Sequence, residues 1–579
     1  MKILLAACNA KYIHSNLAVY SLRAYAGEYA PNIVLKEYTI NQQKDDIMKD
    51  IYLEKPDVIC VSCYIWNITF VKELMQDLRK ILPGVPIWAG GPEVSFDAEE
   101  FLRENPAFTG VIVGEGEETF LELVKYYADK GQAVTESKSP CHDADVFENI
   151  RGLAWRNGGE IRHNGWREVL DLSSVPFVYQ DLQEFKNRII YYESSRGCPF
   201  SCSYCLSSVD KKLRFRDLEL VKRELQFFLD NRVPQVKFVD RTFNCRHDHA
   251  MEIWKYIAEH DNGVTNFHFE ISADLLREEE LALMQTMRPG LIQLEIGVQS
   301  TNPDTIREIR RTMNFERLKE IVNRIHSFGN IHQHLDLIAG LPYEDYNSFR
   351  KSFDDVYALR PQQLQLGFLK VLKGSYMKEM APEYGIIHKE QEPYEVLSTR
   401  WLSYEDVLKL KMVEDMVEVY YNSGQFENTL KLMEPLFEDA YGMYEALGRF
   451  YEKRGYDVIS HSRMRRYEIL LEFVKESKLC AEENKAEKST GDFWEKAADC
   501  MIYDLYLREN LKSRPAFGLD QKPWEKAVWE YRRREGVPKN ARIEVFRDGR
   551  VLLFDYENRD PLTNNAAVKE ISLRLLYKM

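Results

Sequence analysis

The sequence predicts an α/β protein with a doubly wound N-terminal domain, a partial (β/α)6 barrel and a mostly helical C-terminal domain. Two observations support the first two domains. Short apolar runs alternate with amphipathic helical runs as far as residue 395, and glycine or polar residues follow the apolar runs. A third observation, the loss of this alternation beyond residue 395, predicts the helical domain. The predicted boundaries are 1–135, a connector at 136–183, the barrel at 184–395 and the helical domain at 396–579.

The first domain contains apolar runs with the length of buried parallel strands, at Lys2–Ala7, Ile33–Tyr38, Asp57–Ser62, Val85–Ala89 and Gly110–Val113. Helical spacing of apolar residues predicts helices at Leu17–Tyr29, Val71–Leu82 and Thr119–Tyr127. This alternation indicates a flavodoxin-like sheet, which binds ligands outside the carboxyl ends of its strands. Small and polar residues gather at those ends, so we expect a ligand site there.

The connector is polar and contains two adjacent glycines, Gly158 and Gly159. Strand-like segments flank them at Leu153–Arg156 and Glu160–His163. Because paired glycines suit a tight turn, this pattern predicts a small hairpin.

The second domain repeats the strand–helix alternation six times. Its predicted strands are Ile189–Ser194, Val236–Asp240, Phe267–Ser272, Ile292–Val298, His332–Ile338 and Leu364–Phe368. Amphipathic runs such as Leu218–Leu229 and Phe315–Phe328 separate them. Six such repeats fit a partial TIM-like barrel, whose site lies at the carboxyl ends of the strands.

The sequence of the third domain predicts a set of packed helices. Apolar spacing predicts helices at Tyr404–Tyr421, Met433–Lys453 and Tyr467–Leu479. An Asp-Gly turn at 548–549 predicts a hairpin of Ala541–Phe546 and Val551–Phe554. Because no catalytic motif is visible here, we expect a packing or lid domain.

Charge and hydropathy exclude several classes of function. The chain has 78 Lys and Arg against 92 Asp and Glu, a formal charge of −14, which argues against a general nucleic-acid binder. No apolar run approaches the roughly 18 residues that a membrane span needs. The opening residues lack the apolar stretch of a secretory signal, so we expect a cytoplasmic protein.

The most informative motif is a cysteine triplet, Cys198, Cys202 and Cys205, just after the first barrel strand. A compact loop can turn three thiolates with this C-x3-C-x2-C spacing toward one point, and iron–sulfur clusters require thiolate ligands. Three ligands leave one iron of a cubane cluster open for a substrate or cofactor. The triplet therefore predicts a [4Fe–4S] cluster with an open iron.

Zinc is the alternative, but a structural zinc site needs four ligands, and Cys245 and His247 are about forty residues further along the chain. We expect the remaining cysteines to be thiols that pack as small apolar side chains: Cys8, Cys60, Cys63, Cys141, Cys245, Cys480 and Cys500.

The triplet, with Tyr204 before its third cysteine and a barrel around it, resembles the radical S-adenosylmethionine enzymes. The resemblance covers essentially the whole barrel domain. It implies that the open iron binds the amino and carboxylate groups of S-adenosylmethionine, which is then cleaved reductively to a 5′-deoxyadenosyl radical. It also implies that Tyr204 packs near the adenine.

Further segments match this family in order along the chain. The segment EIGVQS at 295–300 resembles the fourth-strand motif, DLIAGLP at 336–342 resembles the turn after the fifth strand, and Arg310–Arg311 follow where the family often places an arginine. The resemblance implies S-adenosylmethionine contacts for Tyr204, Asp240, Glu295, Gln299, Arg310 and Asp336. The family's Gly-Gly-Glu motif is absent, and Asp240 stands in that region. Strand-end caps and solvated helix charges are the alternative interpretation of these residues.

The first domain resembles the cobalamin-binding domain that precedes the barrel in one class of this family. The resemblance implies cobalamin contacts for Asn16, Ser62, Gly90, Gly91, Gly114, Glu115 and Gly116. Glycines at strand ends allow the backbone to approach a bulky corrin. The Asp-x-His-x-x-Gly motif that supplies an axial histidine is missing, so we expect no cobalt ligand at His14. A flavodoxin-like domain without a cofactor is the alternative.

The resemblance therefore implies a cobalamin-dependent radical enzyme with three cofactors: the cluster, S-adenosylmethionine and cobalamin. We expect methylation of an unactivated carbon or phosphorus centre on a small-molecule or peptide substrate, with flavodoxin or ferredoxin as the low-potential electron donor. Alternatives are a non-methylating rearrangement or cyclisation, a tRNA-modifying enzyme, and a redox or regulatory protein without enzymatic activity. The helical domain resembles an uncharacterised domain that is often fused to this pair.

Overall fold

The computed structural model of the protein describes residues 1–135, 146–209, 211–476, 490–572 and 574. The chain forms two compact units. The first consists of Met1–Thr286, Ile306–Met313 and Phe368–Arg400, and the second of Met287–Thr305, Asn314–Gly367 and Trp401–Met579. The predicted domain boundaries remain a prediction.

The first unit opens with a seven-stranded sheet in the order β2-β1-β3-β4-β5-β6-β7. Its strands are β1 Ile3–Asn9, β2 Ile33–Thr39, β3 Val58–Ser62, β4 Ile87–Gly90, β5 Gly110–Ile112, β6 Leu153–Asn157 and β7 Glu160–His163. The first five pair in parallel, whereas β6 and β7 are antiparallel additions. The predicted hairpin is thus confirmed, and it extends the front sheet.

Helices cover this sheet, at Leu17–Tyr25, Lys44–Glu54, Ile68–Ile81, Pro92–Ser95, Ala98–Glu104 and Glu117–Thr135. Every residue of β1 is buried, because a parallel sheet with helices on its faces has no solvated side. The helix Ile68–Ile81 buries Ile68, Val71, Leu74, Met75 and Leu78, one apolar stripe at helical spacing. These buried residues form the core of the front domain.

The barrel segment of the first unit contains three parallel strands in the order β12-β11-β8. Helices Leu218–Asp230 and His247–Glu259 separate these strands, and helix Glu278–Thr286 follows the last one. A pair of two-residue strands lies between the first strand and the first helix. The strands are β8 Ile190–Tyr192, β9 Ser195–Arg196, β10 Arg214–Phe215, β11 Gln235–Phe238 and β12 Asn266–Ile271.

The second unit contains the other three predicted barrel strands, β13 Ile292–Gln299, β14 His332–Ala339 and β15 Gln363–Phe368. Strands β13 and β14 are parallel, with an irregularity between Gly297 and Gln299. Helices Phe315–Phe328 and Tyr346–Tyr357 connect the strands. All six predicted barrel strands therefore exist in the described residues, three in each unit.

Beyond residue 368 the first unit contains helix Tyr376–Met380 and the short strands β16 Ile387–His388 and β17 Val396–Ser398. The C-terminal part of the second unit is mostly helical, with helices Tyr404–Met416, Glu427–Met433, Ala440–Arg454, Arg463–Glu476, Thr490–Arg508 and Glu525–Glu535. A three-stranded antiparallel sheet follows, made of β18 Ala541–Val545, β19 Val551–Arg559 and β20 Ala566–Ile571. The predicted fold class is confirmed.

Several predicted helix ends are wrong. The helix predicted at Leu17–Tyr29 ends at Tyr25, and a 3-10 segment, Gly27–Asn32, follows it. The helix predicted at Met433–Lys453 begins only at Ala440, because Met433 ends the preceding helix and a 3-10 segment with Pro435, Glu434–Leu436, lies between the two. The end of the predicted helix Tyr467–Leu479 lies outside the described residues, as do Cys141 and Cys480.

Two further findings concern the whole described chain. None of its described helices combines the length and the apolar character that a membrane crossing needs. No disulfide joins any of the eight cysteines in the described ranges, and five of them belong to the set predicted to be free thiols: Cys8, Cys60, Cys63, Cys245 and Cys500.

Candidate active site

The three clustered cysteines lie on one loop between β9 and β10, which pair antiparallel at its base. Cys198 and Cys202 are buried, and Cys205 is half-buried. Gly197 adopts a left-handed φ of +92°, and a Cβ there would lie 2.9 Å from the carbonyl oxygen of Lys212. Only glycine therefore fits where the loop crosses its own return strand.

Two backbone hydrogen bonds fix the middle of this cysteine loop. The Ser203 N–H donates to the Ile309 carbonyl at 2.9 Å, and the Met377 N–H donates to the Ser203 carbonyl at 2.8 Å. The Thr242 hydroxyl lies 3.7 Å from the Cys198 sulfur. The loop is thus held by segments that are far from it in sequence.

The donor set of the loop is three thiols, and thiolates are the ligands that iron–sulfur clusters require. Sulfur ligands of one tetrahedral zinc lie about 4 Å apart, given Zn–S bonds of about 2.3 Å. Among the described residues, the one group of His, Cys, Asp and Glu whose ligand atoms all fall within 4.8 Å of one another does not include the cysteines. Burial raises the pKa of Cys202, and the charges of Cys205 and Cys198 add to that rise, which places the three thiols in one electrostatic environment.

The two adjacent arginines have different environments. The Arg310 guanidinium lies 3.5 Å from the centre of the Tyr376 ring, a cation–π contact. Arg311 donates to the Cys202 sulfur at 3.8 Å, and its charge opposes the rise in the pKa of that thiol. Arg311 therefore contacts the cysteine loop directly, whereas the predicted role of Arg310 remains a prediction.

Tyr204 and Asp240, also predicted to contact S-adenosylmethionine, lie in the same unit. Burial raises the pKa of Tyr204, and the nearby Arg311 opposes that rise. Asp240 is fully buried and accepts hydrogen bonds from the Ser194 N–H at 3.0 Å, the Ser194 hydroxyl at 2.7 Å and the Ser195 hydroxyl at 2.6 Å. Burial raises the pKa of Asp240 to about 6. Asp240 thus fixes the two residues that lead into the cysteine loop.

In the second unit the structure brings Glu295 and Asp336 together with His334, which the sequence prediction missed. Glu295 pairs with His334 in the β13–β14 register, and Gly297 pairs with Asp336. The ligand atoms of these three side chains lie within 4.8 Å of one another, and the His334 ring is 2.9 Å from the Asp336 carboxylate. The period-two spacing of His334 and Asp336 could have revealed this.

Gln299, the remaining predicted contact, also lies in the second unit, at the end of β13. It adopts a left-handed φ of +72°, and its side-chain oxygen is buried without a hydrogen-bond partner among the described residues. A strained backbone and an unsatisfied polar atom are features of functional positions.

In the front domain, two of the predicted cobalamin residues touch one another. The Asn16 side-chain N–H donates to the Ser62 hydroxyl at 3.2 Å. The Asn16 side-chain oxygen is buried and has no hydrogen-bond partner in the described part of the chain. A buried acceptor of this kind requires a partner, so it fits a ligand at this edge of the sheet.

The glycines at the ends of β4 and β5 differ in what surrounds them. A Cβ on Gly90 would be 3.6 Å from its nearest neighbour, whereas one on Gly91 would be 2.4 Å from the Cys63 carbonyl oxygen at a φ of +116°. A Cβ on Gly114 would be 2.9 Å from Trp166, and one on Gly116 would be 3.1 Å from Leu22. Of these four glycines, only Gly90 would accept a Cβ at an ordinary van der Waals distance.

Two front-domain residues are engaged with the rest of the first unit. Glu115 accepts a hydrogen bond from the Leu170 N–H at 3.0 Å and lies 2.7 Å from the Arg214 guanidinium. His14 shares a 2.7 Å hydrogen bond between Nδ1 and the Tyr191 hydroxyl. Burial and the charges of Lys11 and Lys237 lower the pKa of His14.

Three family models match the chain in sequence order. The B12 binding domain matches residues 3–124, the radical SAM superfamily matches residues 192–356, and a protein of unknown function (DUF4080) matches residues 382–547.

Relatives and one solved structure agree with these matches. A cobalamin-dependent radical SAM methyltransferase, TokK of Streptomyces tokunonensis, is 25% identical over 51% of this chain and 44% of its own. An anaerobic magnesium-protoporphyrin IX monomethyl ester cyclase of Rubrivivax gelatinosus is 21% identical over 57% and 59%. The chain thus spans about half the length of these curated relatives. The cobalamin-dependent S-adenosylmethionine radical enzyme OxsB shares the fold, with a TM-score of 0.57 and 13% identity over 87% of this chain and 84% of that one.

Proposed function

Because the chain is a radical S-adenosylmethionine protein with a B12-binding domain in front of its barrel, we propose that it is a cobalamin-dependent radical methyltransferase. The observation that supports this most directly is the cysteine loop, which places three thiols with C-x3-C-x2-C spacing at the start of the barrel segment. We propose methylation of an unactivated carbon or phosphorus centre on a small molecule or peptide.

Cys198, Cys202 and Cys205 would hold a [4Fe–4S] cluster, and the front-domain edge at Asn16, Ser62 and Gly90 would hold cobalamin. When bound, the cluster supplies the electron that cleaves S-adenosylmethionine, and cobalamin carries the methyl group. The buried, unpartnered oxygen of Asn16 supports the second assignment.

The chain's own residues would orient these groups. Arg311 donates to the Cys202 sulfur, so it stabilises the thiolate that a cluster iron requires. Asp240 holds Ser194 and Ser195, so the cysteine loop leaves β8 in one direction. Burial around Cys198 and Cys202 excludes water from the sulfur ligands. The predicted contacts of Tyr204, Arg310, Glu295, Gln299 and Asp336 with S-adenosylmethionine remain proposals.

Two variants test the cluster against zinc. The Cys198→Ala variant should lose both iron and sulfide after anaerobic reconstitution, because one of three ligands is gone. The Cys245→Ser variant should keep them. Cys245 is the cysteine near Cys198 that a four-ligand zinc site would recruit, and the Cys198 charge contributes to the pKa of about 11 that burial gives it. Metal analysis that found zinc and no iron, or loss of metal in both variants, would contradict the proposal.

Methyl transfer is tested without knowledge of the substrate. Wild-type protein with cobalamin, a strong reductant and S-adenosylmethionine labelled in its methyl group should place label in the cobalamin fraction and release 5′-deoxyadenosine. If 5′-deoxyadenosine forms while no label leaves S-adenosylmethionine, a non-methylating reaction is the better proposal. The similarity to a cyclase is the observation that favours this second candidate.

Radical S-adenosylmethionine enzymes need a reductant, and we propose flavodoxin or ferredoxin in that role. A cytoplasmic location, consistent with free thiols at the eight described cysteines, is likewise a proposal.

A further inference from the structure

The cysteine loop has an unusual charge arrangement at its base. Strands β9 and β10 close the loop, and in their antiparallel register Arg196 lies directly opposite Arg214. Like charges placed opposite one another on paired strands repel. The closed loop therefore requires counter-charges beside its two base strands.

Two of the three counter-charges come from the front domain. Glu115 and Glu117 lie where β5 leads into helix Glu117–Thr135. The Glu115 carboxylate is 2.7 Å from Arg214 and 3.7 Å from Arg196. The Glu117 carboxylate is 2.8 Å from Arg196. Glu193, in the turn before β9, is the third partner at 2.8 Å from Arg196.

Burial makes this network strong. The Arg196 side chain is 21% exposed and the Glu117 side chain 7%, so water and salt screen their interaction little. Removal of one partner of such a pair leaves a buried charge without compensation.

We propose that Glu115 and Glu117 are positioning residues that hold the cysteine loop closed from the front domain. The inference rests on the proposed [4Fe–4S] cluster and deepens it, because it makes the front domain part of the support of the cluster. It also gives Glu115 a different role from the predicted contact with cobalamin. The segment at the carboxyl end of β5 thereby connects the edge assigned to cobalamin with the loop assigned to the cluster.

The test compares two matched double variants. Glu115→Gln with Glu117→Gln removes both charges from the loop base and keeps the size of the side chains. Glu118→Gln with Glu122→Gln removes two charges from the same helix, where those carboxylates pair with Arg167 at 3.1 and 3.0 Å. After anaerobic reconstitution, the rate at which a chelator removes iron is measured for each. We expect about a tenfold faster loss in the first double variant and a rate within about twofold of wild type in the second.

Conservative replacement separates charge from packing. The Glu117→Asp variant keeps the charge and should release iron more slowly than Glu117→Gln, and the thermal midpoint of each apoprotein shows that both fold. A wild-type rate in the Glu115→Gln, Glu117→Gln protein, or equal rates for Glu117→Asp and Glu117→Gln, would overturn the positioning role while the proposed function stands. A wild-type protein that takes up no iron would instead refute the proposed cluster itself.

Discussion

The buried carboxylate of Asp240 makes a pH-dependent contribution to stability that the Asp240→Asn variant should remove. Asp240 is fully buried beside the start of the cysteine loop and accepts three hydrogen bonds from Ser194 and Ser195. Burial raises its pKa from 3.8 to about 6, although those hydrogen bonds oppose the change. Between these two pH values the folded protein keeps a proton that the unfolded chain releases.

The sign and size follow from linkage. A carboxylate whose folded pKa is raised favours folding fully below the unfolded pKa of 3.8 and loses that contribution as the pH rises to about 6. A shift of about two pKa units corresponds to about 3 kcal/mol, of which roughly half is lost above pH 5. Asparagine does not titrate. Its amide has one acceptor oxygen where the carboxylate has two, so at least one of the three hydrogen bonds is lost or reversed, which costs about 1–3 kcal/mol at every pH.

Thermal unfolding of the apoprotein at pH 5 and pH 8 measures the effect. At pH 5 the thermal midpoint of the wild type should be higher than that of Asp240→Asn. At pH 8 the difference between the two midpoints should be smaller by several degrees, since 1 kcal/mol of stability corresponds to about 2–4 °C. The matched control is Asp77→Asn, which replaces an exposed carboxylate and should show no such narrowing. A gap that stays constant or widens with pH would refute the reasoning.

Three further variants test other parts of the structure. Gly91→Ala should lower the thermal midpoint, because its Cβ would lie 2.4 Å from a backbone oxygen. Gly90→Ala should keep the wild-type thermal midpoint and reduce cobalamin uptake. If the two variants had equal thermal midpoints and equal cobalamin uptake, the difference between the surroundings of the two glycines would be contradicted. Glu37, whose side chain is 4% exposed, pairs with the Arg188 guanidinium, which is 14% exposed. Glu37→Gln should lower the free energy of unfolding by about 3–5 kcal/mol in denaturant, because Arg188 loses its charged partner, and a change below about 1 kcal/mol would refute this. Arg311→Met should raise the pKa of Cys202 and slow its alkylation in the apoprotein, as followed by mass spectrometry; an unchanged rate would show that the Arg311 contact does not stabilise the thiolate.

The strands were predictable because of how they are covered. Each residue of β1 is buried between two layers of helices, and such a strand appears in the sequence as a continuous apolar run. The helix Lys44–Glu54 was missed, because only Ile47 and Ile51 are buried on it and the rest of its surface is polar. The late start of helix Ala440–Arg454 was predictable from Pro435, since proline interrupts the hydrogen bonds of a helix.

The candidate site was only partly predictable. The three cysteines are close together in the sequence and share a loop, so their spacing was sufficient to predict them. His334 was within reach of the same reasoning, because it lies two residues from Asp336 on β14. Strands β9 and β10 could not be predicted in this way, because a strand of two residues gives no periodic pattern in the sequence.

The residues that hold the cysteine loop differ in kind from those that would bind the cofactors. The proposed iron ligands fall within eight residues of one another, so a short motif contains them. Glu117 and Arg196 are separated by 79 residues and have no local pattern in common, yet they form a nearly buried ion pair. An ion pair of this kind stabilises the fold only when both side chains are present, because either one alone would be a buried charge without a partner. Motif recognition therefore finds the metal ligands and misses their support, and Glu115 shows the consequence: the same short motif that suggested a cofactor contact places its carboxylate against Arg214.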